Sequence, residues 1–128
     1  MCFTSSKEER LDLLENFYTL YKKRWDELSN AITLEMGAPK DFATKLQVGA
    51  GAAHIKTFIK YLKEFKFDRL VNNQLQNQRI IYEPKGVCAL ITPWNWPMNQ
   101  VCLKVIPALA SGCTMVLKPS EIAPLSSM

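Results

Sequence analysis

Apolar residues recur early in the chain at alternating spacings of three and four: Leu11, Leu14, Tyr18, Tyr21, Trp25, Leu28 and Ile32. Side chains so spaced share one face of an α-helix, and Lys, Arg, Glu and Asp fill the other faces, so the stretch predicts amphipathic helix lying on a core. Ser5-Ser6-Lys7-Glu8-Glu9 holds two overlapping Ser-x-x-Glu capping boxes and sets the start. A break into two helices is expected near residues 22–25. Gly37-Ala38-Pro39 ends the segment, because glycine accepts a left-handed cap and proline cannot continue a helix. Core packing accounts for the stripe without a ligand box.

A second helix is predicted over about residues 41–66. Its middle, Gly49-Ala50-Gly51-Ala52-Ala53, lacks side-chain volume and costs helix propensity, which predicts close approach of another element. Phe58, Tyr61, Leu62 and Phe65 give the later turns a bulky face, while Lys56, Lys60 and Lys63 lie on a solvated one. His54 is the only histidine, with no Ser, Asp or Cys constellation tied to it, and reads as a packed or surface residue. Residues 68–78 turn polar and amide-rich, with Asn72-Asn73 as a turn. A hairpin across that turn is expected to pair residues 69–71 with residues after Leu75, and residues 79–83 read as a strand. A lone hairpin is marginal in water, so this one should join a larger sheet or a partner subunit.

Beyond Gly86 the pattern changes to short apolar runs. Val87-Cys88-Ala89-Leu90-Ile91 predicts a strand buried on both faces, residues 98–111 a helix with Gly112 past its end, and Cys113-Thr114-Met115-Val116-Leu117 a second strand. Strand, helix, strand at this spacing is a βαβ unit with parallel strands. Ligands of open α/β sheets bind outside the carboxyl ends of the strands. Those ends are residues 92–96 and 118–121, both carrying polar side chains beside prolines. The fold class is therefore α/β: N-terminal helices, a polar hairpin, and the first βαβ unit of a parallel Rossmann-like sheet. Two strands do not make such a sheet, so the chain is expected to be incomplete.

Composition narrows the function without naming it. At 128 residues, 48% hydrophobic and 22% charged, the chain is one ordinary globular unit. The net charge of +4 is spread without a basic block, which argues against a nucleic-acid partner. No apolar run reaches the roughly 20 residues of a membrane span, and charges follow the start too soon for a signal peptide. A soluble cytoplasmic protein is expected. Cys2, Cys88, Cys102 and Cys113 form no CxxC pair and no metal spacing, and read as reduced core thiols.

Several motifs in one order carry a more specific signal: Glu83-Pro84-Lys85-Gly86-Val87, Thr92-Pro93-Trp94-Asn95-Trp96-Pro97, Pro107-Ala108-Leu109-Ala110-Ser111-Gly112 and Lys118-Pro119-Ser120-Glu121. Together they resemble the NAD(P)-dependent aldehyde dehydrogenase superfamily. The helices ending at Glu35-Met36-Gly37-Ala38-Pro39-Lys40 extend the likeness over nearly the whole chain, which covers well under half of the family's usual length. On that resemblance residues 1–128 are the N-terminal part of the NAD(P)-binding domain, with about residues 68–83 a hairpin of the oligomerisation or bridging region.

The resemblance implies roles residue by residue. Asn95 matches the amide that donates a hydrogen bond to the oxyanion formed when a cysteine thiolate attacks the aldehyde; read from the residues alone, it would cap the following helix. Lys118 and Glu121 match the pair on the adenosine ribose, with Ser120 beside them. A carboxylate there accepts from ribose hydroxyls and repels a 2′-phosphate, which favours NAD, with NADP possible. Ile91, Thr92, Pro93 and Trp94 match the nicotinamide and ribose side, and Lys104 matches a lysine of a proton relay. The nucleophilic cysteine, the general-base glutamate and the glycine-rich turn of the family have no counterpart in the chain. The implied parent enzyme is a homo-oligomer oxidising an aldehyde to a carboxylic acid, and the chain alone is expected to be inactive and to bind cofactor weakly. The rival reading is a non-catalytic module that self-associates or binds a partner.

Overall fold

A computed structural model describes residues 5–128, and Cys2 lies outside them. Of the two overlapping capping boxes, the second forms. Ser6 Oγ accepts from the Glu9 amide at 3.1 Å, and a Glu9 carboxylate oxygen accepts from the Ser6 amide at 2.7 Å. From there α1 runs over Lys7–Lys23, breaks at Arg24, and is followed by α2 over Trp25–Met36. Gly37 closes α2 in the left-handed region at φ +68°, as its lack of a Cβ allows.

The second predicted helix is one rod with an irregular start. α3 (Lys40–Phe42) passes through a π-helical turn, Ala43–Gln47, into α4 (Val48–Glu64). The wide turn has a visible cause in the neighbouring helix. Trp25 Nε1 donates to the Thr44 carbonyl at 3.1 Å, and the hydroxyls of Ser29 and Thr44 meet at 2.6 Å. Close approach occurs at Gly51, where a Cβ would meet Tyr21 and Cys102, and not at Gly49, which faces open space. Leu14, Tyr21, Ile32, Val48, Ile55, Cys102 and Ile106 form the buried centre between α1, α2, α4 and a later helix, α5 (Pro97–Ala110). His54 is a packing residue: its Nε2 lies 2.8 Å from Asn99 Oδ1, joining α4 to α5.

β1 (Asp68–Leu70) and β2 (Arg79–Ile81) pair antiparallel, with Arg69 opposite Ile80. Asn72 makes the intervening turn, its Oδ1 accepting from the amides of Gln74 and Leu75. β3 (Val87–Ile91) then leads to α5 (Pro97–Ala110) and β4 (Thr114–Lys118), and β3 and β4 pair in parallel. Pro97 occupies the first helical position, where its missing N–H costs nothing, and Gly112 at φ +80° turns the chain out of the helix.

The expectation that β3 is buried on both faces is corrected. Cys88 and Leu90 are half-buried on the α5 side, whereas Val87 and Ile91 are 75% and 63% exposed, as is Val116 of β4 at 65%. α5 covers one face of the strand pair, so the apolar run reflects a two-sided preference that only one side meets. Cys88 is accordingly half-buried instead of a core residue, while Cys102 and Cys113 are buried.

Candidate functional site

Parallel pairing decides where the polar corners fall. The register sets Ile91 opposite Lys118, and the ladder extends one step further, with the Thr92 amide donating to the Lys118 carbonyl at 3.3 Å. The two strands therefore deliver residues 92–96 and 118–121 to the same end of the sheet. Among the candidate residues, these contacts bring Ile91 and Thr92 directly against Lys118. Lys104 lies seven residues into α5, about 10 Å along the helix from those tips at 1.5 Å per residue. It is half-buried, with no hydrogen bond to another described residue.

The first corner is stiff and strained. Thr92 is buried, whereas Pro93, Trp94 and Asn95 are exposed. Trp96 holds φ +61° and ψ 58°, the one non-glycine residue with positive φ among the described residues. An L-residue there costs about 1–2 kcal/mol, so neighbours must hold it. Phe42 packs edge-on against the indole at 5.4 Å between centroids and 78° between planes, and Pro97 is fully buried just behind it. Asn95 does not cap α5, because Trp96 takes the cap position and no side chain bonds to the first helical amides. The Asn95 amide, without a hydrogen bond to any described residue, stays available at the surface of the corner.

The second corner carries the charge. Lys118 Nζ lies 3.5 Å from a Glu121 carboxylate oxygen and 3.4 Å from the Pro119 carbonyl. Ser120 Oγ accepts from the Ile122 amide at 3.3 Å, a local turn that closes the corner. The Glu121 carboxyl is held below its ordinary range, first by its own backbone amide and then by the Lys118 ammonium. Both partners are largely exposed, so their attraction adds little stability. What the pair offers is an ionised acceptor and a cation side by side at a strand tip.

No described cysteine reaches this end of the sheet. Burial pushes the Cys102 thiol up to about 12, which keeps it protonated and inert. Cys113 is lowered, chiefly because Ser111 Oγ donates to its sulfur at 3.4 Å. It precedes the first residue of β4, however, and so stands some 16 Å of strand from Lys118 at 3.3 Å per residue. One residue of consequence escaped the sequence reading. Glu35, in the last turn of α2, accepts from the amides of Leu125 and Ser126 just beyond the second corner. The signal was an acidic residue at a helix carboxyl end, where the helix dipole disfavours it.

The profile of the Aldehyde dehydrogenase family matches residues 3–128. A 3-succinoylsemialdehyde-pyridine dehydrogenase from a Pseudomonas species is 51% identical over 124 residues, covering 96% of this chain and 25% of the relative. A succinate-semialdehyde dehydrogenase [NADP(+)] from Escherichia coli is 38% identical over 122 residues, covering 94% of this chain and 25% of the relative. Among solved structures, an aldehyde dehydrogenase from Bartonella henselae superimposes with a TM-score of 0.96 at 52% identity, over 98% of this chain and 26% of that one. A C291A mutant of aldehyde dehydrogenase C from Pseudomonas syringae, in complex with NAD+ and octanal, gives 0.91 at 44% identity, over 97% of this chain and 25% of that one. The chain thus spans about a quarter of the length of the relatives it matches. With nearly all of its residues matched by the family profile, this chain belongs to the aldehyde dehydrogenase family.

Proposed function

We propose that the chain is the N-terminal quarter of an NAD(P)-dependent aldehyde dehydrogenase and supplies the oxyanion donor and one wall of the cofactor site. The observation that carries this reading is the Ile91–Lys118 register, which sets the two polar corners side by side. Asn95 is the donor. It lies between two tryptophans in the sequence, directly before the strained Trp96, and a donor fixed in place by its backbone needs little reorganisation when charge develops on the aldehyde oxygen. Glu121 accepts from the ribose hydroxyls of the adenosine half, with Lys118 and Ser120 beside it. Ile91, Thr92, Pro93 and Trp94 border the nicotinamide side. The chemistry of the donor set fits a dinucleotide: the carboxyl of Glu121 is pushed toward its ionised form, and an ionised carboxylate at a strand tip suits neutral ribose hydroxyls better than a 2′-phosphate. NAD is therefore the preferred cofactor. When bound, the cofactor takes up the electrons released as the aldehyde becomes an acid. Lys104, two turns down α5, would act at most through relayed protons.

Residues 3–128 exchanged for the matching segment of the Pseudomonas relative should yield an active chimaera. In that chimaera Asn95→Ala should lower turnover about 10²- to 10³-fold. A chimaera whose turnover is indifferent to Asn95 would refute the assignment. The chain alone should release no NADH from any aldehyde. Its exposed Val87, Ile91 and Val116 favour a second reading, in which the isolated chain self-associates through the open sheet face in the cytoplasm. Light scattering that returns a compact monomer would remove that reading. Among the described residues no helix is long and apolar enough to cross a membrane.

A further inference from the structure

We propose that Glu35 is a positioning residue for the nucleotide corner, clamping from the helical layer the segment that carries Ser120 and Glu121. The inference rests on the cofactor reading above but can fail separately from it. Leu125–Ser127 forms a short 3₁₀ turn after Pro124, and its first amides have no acceptor within the turn. The Glu35 carboxylate meets both, one oxygen accepting from the Leu125 amide and the other from the Ser126 amide at 2.9 Å. Bonds from amides to an ionised carboxylate are the stronger kind. They join residues 90 and 91 positions apart in sequence, so they are a tertiary tie and not a local turn.

Only residues 119–124 separate this clamp from the end of β4. Ala123 is buried, and its amide donates to the Ser120 carbonyl at 3.2 Å. The corner is thus closed at one end by the strand ladder and at the other by Glu35. The Lys118 and Glu121 side chains are 67% and 84% exposed and hold each other only loosely, so their placement follows the backbone beneath them. Releasing the clamp would leave a ligand to order that backbone on binding, at a cost in affinity.

The test uses the whole chain with Glu35→Ala and Glu35→Gln, reading backbone amide exchange by NMR and affinity for ADP-ribose by titration. In Glu35→Ala, exchange at Ser120, Glu121 and Ile122, as well as at Leu125 and Ser126, should speed by about tenfold or more. ADP-ribose should bind about fivefold more weakly. Glu35→Gln keeps one carbonyl acceptor and should recover part of both effects. If only Leu125 and Ser126 exchange faster, Glu35 is a local cap and the proposal is wrong. It is equally wrong if the corner loosens while affinity stays the same. Should Glu35→Ala not fold, Glu35→Gln decides by the same criteria. A wild-type chimaera with the Pseudomonas relative that failed to bind ADP-ribose would overturn the cofactor reading, and exchange at residues 120–122 in the chain would still decide the clamp.

Discussion

Two glycines two residues apart, on nearly opposite faces of α4, should respond to the same substitution in opposite directions. At Gly51 an added Cβ would sit 2.3 Å from Tyr21 Oη, 3.0 Å from Tyr21 Cζ and 3.1 Å from Cys102 Sγ. The hydroxyl cannot simply swing aside, because it donates to the Val48 carbonyl at 2.9 Å and its ring stands edge-on to Trp25 at 6.1 Å. Overpacking of this kind costs about 1–3 kcal/mol, and a displaced buried hydroxyl with its abandoned carbonyl about 1–3 kcal/mol more. Alanine returns about 1 kcal/mol in helix propensity. Gly51→Ala should therefore destabilise the chain by about 1–5 kcal/mol, lowering the melting temperature by roughly 10 °C at the middle of that range. At Gly49 nothing lies within 4 Å of the added Cβ, so Gly49→Ala should stabilise by about 0.5–1 kcal/mol. Urea unfolding followed by circular dichroism measures both. Tyr21→Phe removes the nearest clashing atom, so the Gly51→Ala/Tyr21→Phe double variant should be less destabilised than the sum of the singles. Strict additivity, or a Gly51→Ala chain as stable as wild type, would refute the packing argument.

Gly112→Ala should cost about 2 kcal/mol or more in the same assay, since φ is +80° there and the new Cβ would lie 2.5 Å from the Arg10 guanidinium, which stacks on Phe67. Phe42→Ala should release the strained turn at Trp96: we expect faster amide exchange at Asn95 and Trp96 and, in the chimaera, lower turnover with little change in KM. Unaltered exchange would show that Phe42 does not brace the turn. The buried Cys102 thiol gives a pH dependence. Its folded value is raised to about 12 from the ordinary 9.0, so the folded state favours the protonated form. Its stabilising contribution is complete below pH 9 and is lost as pH rises toward 12, at about 1.4 kcal/mol per pH unit. Urea midpoints between pH 8.5 and 10 should fall for wild type and stay flatter for Cys102→Ala; equal slopes would refute the assignment. The window stops at pH 10 because burial also raises the Tyr21 phenol, which adds its own loss above that point.

Local rules made the helical layer and the βαβ unit readable in advance. The Ser6–Glu9 box, Gly37 and Gly112 each act within one turn of their own position, and the structure uses all of them. The features that could not be read have causes distant in sequence. The π turn at Ala43–Gln47 answers to Trp25 and Ser29, and β3 shows one exposed face because only α5 lies against it. The candidate site divides in the same way. Its location followed from where parallel strands end, whereas the roles given to Asn95, Lys118 and Glu121 rest on resemblance, since an exposed amide and an exposed ion pair have no chemistry of their own.

The two features that would turn those corners into a site both come from the helical layer. Phe42 leans on Trp96 next to Asn95, and Glu35 grips the amides beyond Glu121. The first helices of the chain are thus more than a cover for one side of a small core. Between them they brace both strand tips, one through ring contact and one through a carboxylate. Loss of either brace should blunt its own corner and leave the other intact. A chimaera carrying Phe42→Ala should accordingly lose turnover without losing cofactor affinity, and one carrying Glu35→Ala should lose cofactor affinity with turnover at saturation preserved. If the two substitutions instead gave the same kinetic defect, the helical layer would be acting as a single undifferentiated support, with no division of labour between Phe42 and Glu35.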